Sequence, residues 1–164
     1  MALSLDEIDV RLLKELETDA DRPNVELARI VGLSPAATLN RVRRMKEAGV
    51  IRRITARLDS GTAGFALQVY LLVTLARHDE AADRRFATEV AALDNVIAAD
   101  GVAGEIDAIL MVVARDVAEL QVTLSRLMTR GGAQRLVTVL RLQELKPSSP
   151  LPLRATPVHR RRGD

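Results

Sequence analysis

Arginines and small polar side chains cluster between residues 34 and 57, and their chemistry suits a polyanion. Arginine can bind a guanine edge or a phosphate, asparagine can pair with adenine, and methyl groups can contact thymine. We expect base edges to meet Ser34, Ala36, Ala37, Thr38 and Asn40. We expect Arg41 and Arg44 to reach a guanine or phosphates. The remaining arginines would contact the DNA backbone, where they fix the position of the protein but do not read the sequence. These are Arg43, Arg52, Arg53 and Arg57.

Charge is segregated along the first third of the chain. Residues 5–21 carry seven acids and two bases, whereas residues 29–57 carry eight bases and one acid, although the whole chain has a net charge of only +2. Such segregation in a small domain indicates one face that meets a polyanion. Two ordinary solvated helix faces would explain the same charges equally well.

The elements that would position these residues begin with two helices. Ser4 to Glu7 has the form of a capping box, which predicts the start of a first helix. Pro23 lies near the start of a short second helix. The spacing of the apolar residues in this helix predicts a buried face made of Val25, Leu27, Ala28 and Val31.

The third helix is the candidate recognition helix, because the second helix of a helix-turn-helix lies in the major groove. Ser34 and Pro35 form a strong start signal, and Gly49 provides the left-handed end after Ala48. Residues 50–58 have the composition of a basic strand. This order predicts a winged helix-turn-helix over residues 1–58, with the third helix burying Leu39, Val42 and Met45.

The rest of the chain predicts an α+β domain after a small polar linker at residues 59–64. Strands are expected at 65–76, 96–102, 107–114 and 134–145, with helices at 79–93 and 117–128. This βαββαβ order is ferredoxin-like, with helices on one face of an antiparallel sheet. Because the strands are apolar on both faces, we expect a second subunit to cover the open face. The domain would span residues 65–153 and be followed by a disordered basic tail at 154–164.

Composition excludes several classes of function. The chain has no cysteine, which excludes disulfides, thiol catalysis and thiolate metal sites and fits a reducing cytosol. No apolar run is long enough for a membrane helix and no signal peptide is evident, so we expect a cytoplasmic protein without membrane partners. His78 and His159 are far apart in sequence and cannot form a paired acid–base site. We therefore expect no enzyme activity, metal or cofactor.

The residues resemble those of the Lrp/AsnC (feast/famine) family of transcription regulators. The similarity covers roughly residues 3–153 and is most specific in the first 58. The matching segments are Leu5–Asp9, Asn24–Ala28, Val31–Pro35, Arg41–Met45, Glu47–Ile51, Val102–Asp107 and Leu151–Leu153. The resemblance implies double-stranded DNA as a partner, a homodimer that can assemble into octamers, and an amino acid or related metabolite as effector.

The resemblance places the effector between subunits, near a Gly-x-x-Asp turn. Physically, a carboxylate can receive an α-amino group, and backbone N–H groups of a glycine turn can receive a carboxylate. An ordinary hairpin glycine and turn-forming aspartate would explain the same residues. The implied effector residues are Asp100, Gly101, Val102, Ala103, Gly104, Asp107 and Thr138.

Three other functions remain as alternatives. An enzyme resembling the sirohaem decarboxylases would share this architecture, but those enzymes carry histidines in the second domain. An effector-independent architectural DNA-binding protein would need only the first domain's chemistry. An RNA-binding ferredoxin-like module would stack bases on aromatic residues, and this sheet offers only Phe65 and Tyr70.

Overall fold

The computed structural model describes residues 3–77 and 79–155. The described residues form two compact units: one comprises residues up to Arg57 together with residues 146–155, and the other lies between Leu58 and Leu145. Within the described residues, no helix combines the length and apolarity needed to cross a bilayer. His78, His159 and most of the expected basic tail lie outside the described residues.

Three helices build the first unit: α1 (Glu7–Thr18), α2 (Asn24–Val31) and α3 (Pro35–Glu47). Gly32 and Gly49 follow α2 and α3 with φ of 71° and 73°, the left-handed conformation in which a side chain is strained. The tight turn and the end of α3 are therefore confirmed. The buried core that joins the helices consists of Leu12, Leu13, Leu27, Val31, Val42 and Met45.

Helix α1 begins two residues later than its sequence predicts. Its N-cap is Asp6, not Ser4, and the capping box is formed by Asp6 and Asp9. The Asp9 N–H donates to Asp6 Oδ1 at 2.8 Å, and the Asp6 N–H donates to Asp9 Oδ2 at 3.3 Å. With Asp6 as the N-cap, Asp9 is at the N3 position, from which its carboxylate closes the capping box. The same carboxylate is bound by two arginines of α3.

The buried faces of α2 and α3 also differ from the expected ones. Val25 is 68% exposed and Leu39 is 57% exposed, whereas Thr38 is fully buried. Thr38, Val42 and Met45 are spaced by four and three residues, so they share one face of α3. Leu39 lies about 100° further round the helix and points away from the core.

The buried Thr38 hydroxyl gives a testable prediction. Within the described residues its Oγ1 atom has no hydrogen-bond partner, and an unpaired buried polar group destabilises the fold. We expect Thr38→Val to raise the free energy of unfolding by about 1 kcal/mol in urea denaturation. Thr18→Val is the control, because that exposed hydroxyl donates to the Lys14 carbonyl, and its effect should stay within about 0.5 kcal/mol. Destabilisation by Thr38→Val would contradict the prediction.

Residues 50–58 do not form the expected basic strand. They adopt no regular secondary structure, and no strand of the described chain pairs with them. A strand needs a partner to satisfy its backbone groups. Here the first two amides, of Val50 and Ile51, instead bond the Met45 carbonyl at the end of α3, and Ile51 packs against the helical core.

Residues 146–155 belong to the helical unit, although residues 65–153 were expected to form one domain. Leu153 packs against the core of the three helices. The Leu151 N–H donates to Glu17 Oε1 at 3.1 Å. Together with α1 and residues 50–55, Leu151 and Leu153 line a shared groove. The helical unit is therefore discontinuous in sequence.

The second unit confirms the predicted βαββαβ order. Its elements are β1 (Leu67–Leu75), α4 (Glu80–Ala91), β2 (Val96–Gly101), β3 (Ala108–Ala114), α5 (Val117–Thr129) and β4 (Ala133–Leu140). The sheet order is β2-β3-β1-β4, and all neighbouring strands are antiparallel. Strand β4 ends at Leu140 rather than residue 145, because the Arg141 N–H makes the last bond to β1, at Gln68. The expected linker at 59–64 forms a hydrogen-bonded turn.

The two faces of this sheet have different surroundings. One face packs under α4 and α5, with Val69, Leu71 and Val73 of β1 buried against Phe86 and Leu127. Side chains alternate between faces along a strand, so the pairing register places another apolar set on the opposite face. We call this set the open face: Tyr70, Leu72, Ile109, Met111, Val137 and Val139.

Candidate functional site

The exposed side of α3 brings several predicted contact residues together. Ala36, Asn40 and Arg43 are spaced by four and three residues and are all exposed, so they form one outward face. Leu39 is exposed beside them, where its side chain can contact a thymine methyl. Thr38 does not belong to this face, because its buried side chain cannot touch a base.

The start of α3 is fixed by its cap. Ser34 Oγ accepts the Ala37 N–H at 3.2 Å, and the Asn24 side chain donates to the Pro35 carbonyl at 2.8 Å. These bonds hold the turn between α2 and α3. The exposed face of α3 therefore projects from a fixed N-terminus rather than from a loose loop.

Arg41 and Arg44 bind acids of α1, which the sequence prediction did not include. Arg41 Nη1 lies 2.7 Å from Asp6 Oδ2 and 2.9 Å from Asp9 Oδ1. Arg44 Nη2 lies 2.5 Å from Asp9 Oδ2. The Asp9 side chain is fully buried, whereas those of Arg41 and Arg44 are 28% and 48% exposed. We call these four residues the α1–α3 ion-pair network.

The network favours its ionised state. Burial opposes ionisation of Asp6, but hydrogen bonds from the Asp9 N–H and the Arg41 side chain outweigh it and hold the pKa of Asp6 below its ordinary value. Hydrogen bonds to Asp6 and Asp9 raise the pKa of Arg41. The segregated charges of α1 and α3 therefore neutralise each other in part. Contact between Arg41 and a DNA base stays a prediction, and the ion pairs of Arg41 compete with that contact.

Other bases remain open to an anion. Arg52 and Arg53 are exposed and form no ion pair with any acid of the described residues. Arg43 lies 2.8 Å from Glu47 in an exposed pair, which contributes little and is easily exchanged for another anion. Basic charge on this unit is thus carried by the outward face of α3 and the segment that follows it.

A second candidate site is a cleft of about 680 Å³ in the other unit, between α4 and the β2–β3 hairpin. Five of the seven predicted effector residues line it: Asp100, Gly101, Val102, Ala103 and Asp107. Gly104 is in the hairpin but does not line the cleft. Thr138 is on β4, three strands from β2, a separation of roughly 14 Å, so one subunit does not bring it to the cleft.

Asp107 lines the cleft and also makes hydrogen bonds that stabilise the hairpin. Its Oδ2 atom accepts the Leu75 N–H at 2.7 Å, which ties the hairpin to the end of β1. Its backbone carbonyl accepts the Val102 N–H at 3.0 Å and closes the hairpin. Gly104 has φ of 150°, which a side chain would strain. The turn-forming interpretation therefore explains part of this motif.

The helix wall of the cleft was missed by the sequence prediction. Asp83, Ala87 and Ala91 follow each other at intervals of four residues along α4, and Phe86 and Val90 lie beside them. The row of small side chains leaves the space that the cleft occupies. That i, i+4, i+8 spacing of small residues is the signal by which the wall could have been found.

Comparison with known proteins gives two family matches. Residues 5–46 match the AsnC-type helix-turn-helix domain, and residues 68–151 match the Lrp/AsnC ligand binding domain. The chain is 35% identical over 145 residues to a leucine-responsive regulatory protein of Rhizobium meliloti (strain 1021), covering 88% of this chain and 93% of that relative. The chain belongs to the Lrp/AsnC family.

Solved structures agree with this Lrp/AsnC assignment. A transcriptional regulator of Neisseria meningitidis in complex with L-Met superposes with a TM-score of 0.84 at 29% identity, covering 91% of this chain and 97% of that one. A feast or famine regulatory protein of M. tuberculosis complexed with L-methionine gives a TM-score of 0.78 at 28% identity, covering 87% and 95%. The fold class and family predicted from sequence are confirmed.

The family matches map onto the two candidate sites of this Lrp/AsnC protein. The helix-turn-helix match ends inside α3 and does not include residues 50–58. The ligand-binding match includes the whole β2–β3 hairpin and α4. The individual contact residues of both sites stay predictions.

Proposed function

We propose that this Lrp/AsnC protein is a cytoplasmic, DNA-binding transcription regulator whose DNA affinity or assembly responds to an amino acid or related small metabolite. The observation that carries the DNA-binding half is the outward face of α3. Its Ala36, Leu39 and Asn40 offer methyl and amide groups to base edges, and Arg43 offers a charge to phosphates. Arg52 and Arg53 extend the basic surface beyond the helix.

The cleft between α4 and the hairpin is the proposed effector site. Its volume of about 680 Å³ falls in the range of small-molecule sites, about 300–1,000 Å³. The walls supplied by Phe86 and Val90 suit an apolar side chain, and Asp100 and Asp107 at the hairpin suit an amino group. The L-Met complexes of the Neisseria and M. tuberculosis relatives support this ligand class.

The open face supports a homodimer as the working form. Tyr70, Leu72 and Met111 lie on it, opposite the face that α4 and α5 cover within the second unit. An apolar sheet face of this kind needs a cover, and a second copy supplies a surface of matching shape through two-fold symmetry. Further assembly of dimers into octamers is part of the proposal.

Binding to DNA from the gene's own promoter region tests the regulator function. Fluorescence anisotropy at one fixed salt concentration would compare this DNA with a scrambled duplex of equal length. We expect the promoter DNA to bind at least about 1,000-fold more tightly, as is usual for specific regulators. Equal affinity for both duplexes would contradict a regulator that reads sequence.

Asp107→Asn tests the effector site without removing the hairpin's support. The amide oxygen can still accept the Leu75 N–H, but the charge that attracts an amino group is lost. A thermal-shift screen of the twenty amino acids would identify the effector, and calorimetry would give its affinity. We expect at least about tenfold weaker binding in the variant. Wild-type affinity would exclude Asp107 from the site, and a screen without any hit would favour the effector-independent alternative.

A further inference from the structure

We propose that Arg44 binds a DNA phosphate while it remains bound to Asp9, so that Asp9 is a positioning residue for DNA binding. Arg41, by contrast, belongs to the interior of the ion-pair network. This inference rests on the proposed DNA-binding function and adds to it the role of a buried acid. It divides two arginines that sequence alone treats as equivalent.

The position of Arg44 on α3 separates it from Arg41. Arg44 follows Asn40 by four residues, so it lies one turn further along the outward side of the helix. Its side chain is 48% exposed, against 28% for Arg41. Arg41 bridges two carboxylates of α1, whereas Arg44 touches only the Asp9 carboxylate.

The guanidinium of Arg44 has donors left for a second anion. An arginine carries five N–H donors in a planar fork, and Arg44 uses its Nη2 atom on Asp9. Because the group is planar, one fixed nitrogen restricts the direction of the others. A long side chain that is already ordered loses less conformational entropy when a phosphate binds.

Asp9 is suited to fix the orientation of the Arg44 guanidinium. Its carboxylate is fully buried, and it accepts hydrogen bonds from Arg41, from Arg44 and from the Asp6 N–H. It is therefore fixed relative to both α1 and α3. An exposed acid could not hold an arginine in one orientation, because it would itself be free to move.

Asp9→Asn gives opposite results for a positioning role and for a merely structural one. Asparagine can still accept the Asp6 N–H, but it binds Arg44 more weakly. If Asp9 directs Arg44, DNA affinity falls about fivefold, as a charge-assisted hydrogen bond becomes a neutral one. If it does not, loss of a negative charge near DNA tightens binding. Glu7→Gln is the matched control: it removes an exposed acid from the same helix and should tighten binding slightly.

The salt dependence of binding tests Arg44 itself. The slope of log K against log salt falls by about 0.9 for each phosphate contact that is lost. We expect Arg44→Gln to reduce the slope by about 1 and Arg41→Gln to leave the slope unchanged. In the Arg44→Gln background, Asp9→Asn should no longer weaken binding and should tighten it slightly, as Glu7→Gln does, because its weakening effect passes through Arg44.

Each outcome decides the proposal. An unchanged slope in Arg44→Gln, or tighter DNA binding by Asp9→Asn, would overturn it while the regulator function stands. Wild-type protein without any salt-dependent DNA binding would overturn both. All variants would be used as the full chain, with circular dichroism at the assay temperature to verify their fold. The Arg44→Gln slope stands by itself if Asp9→Asn fails to fold, since Arg44 is half-exposed.

Discussion

We expect Asp9→Ala to lower the free energy of unfolding by about 3 kcal/mol, because it removes the charge-assisted hydrogen bonds from Arg41 and Arg44, which typically contribute about 1.5–3 kcal/mol each. Asp9 is fully buried and accepts bonds from Arg41 and Arg44. The substitution also removes half of the capping box that begins α1. Urea denaturation of the full chain, followed by circular dichroism, would measure the loss.

The neighbouring Glu7→Ala provides the control for this result. Glu7 is exposed in the first turn of the same helix, so its removal should cost less than about 1 kcal/mol. If Asp9→Ala cost no more than Glu7→Ala, the network would be an incidental contact. A large loss would establish that Asp9 holds α3 in place against α1.

The second large effect is expected from Leu72→Glu, which should dissociate the proposed dimer. Leu72 lies at the centre of the open face, opposite Ile109 on β3 and Val137 on β4. A two-fold interface would bury the new carboxylate twice, and each unpaired buried charge costs several kcal/mol. We expect the dimer dissociation constant to rise by more than about 1,000-fold. Analytical ultracentrifugation would then report the monomer mass of 17.9 kDa.

Val122→Glu is the matched control for this substitution. Val122 is 61% exposed on α5, on the helix side of the sheet, so the same chemical change should leave the dimer intact. Because Leu72 lies on the sheet face opposite α4 and α5, its variant should keep the fold of the unit. An unchanged dimer in Leu72→Glu would assign the subunit contact to another surface.

The features that the sequence predicted well depend on local signals. The start of α3 at Ser34 and Pro35, its end at Gly49 and the βαββαβ order all follow from caps, turns and periodicity within a few residues. The buried face of α3 was harder. Thr38 and Leu39 both fit the helical spacing of a buried face. Hydropathy favours burial of Leu39, but in the packed unit Thr38 is buried and Leu39 is exposed.

The α1–α3 ion-pair network could not be predicted from local sequence patterns. Asp9 and Arg41 are 32 residues apart in sequence, so local patterns predicted contacts of the basic residues with DNA but no pairing between these arginines and the acids near the start of the chain. The wall of the cleft was a different case. The spacing of Asp83, Ala87 and Ala91 is visible in the sequence, but the packing of α4 on the sheet is needed to show that this side of the helix lines a cleft. Residues 50–58 show a third case: they have the composition of a strand, but no strand in the described part of the chain pairs with them.

The return of the C-terminal segment to the helical unit affects how the protein is made. The contacts of Leu151 and Leu153 with α1 can form only after residues 58–145 have been synthesised. At about 5–20 residues per second, that interval lasts roughly 5–20 s. Of the two units, the helical one thus begins to leave the ribosome before the other and is completed after it. A nascent chain therefore acquires its finished DNA-reading unit only after the whole ligand-binding unit has emerged.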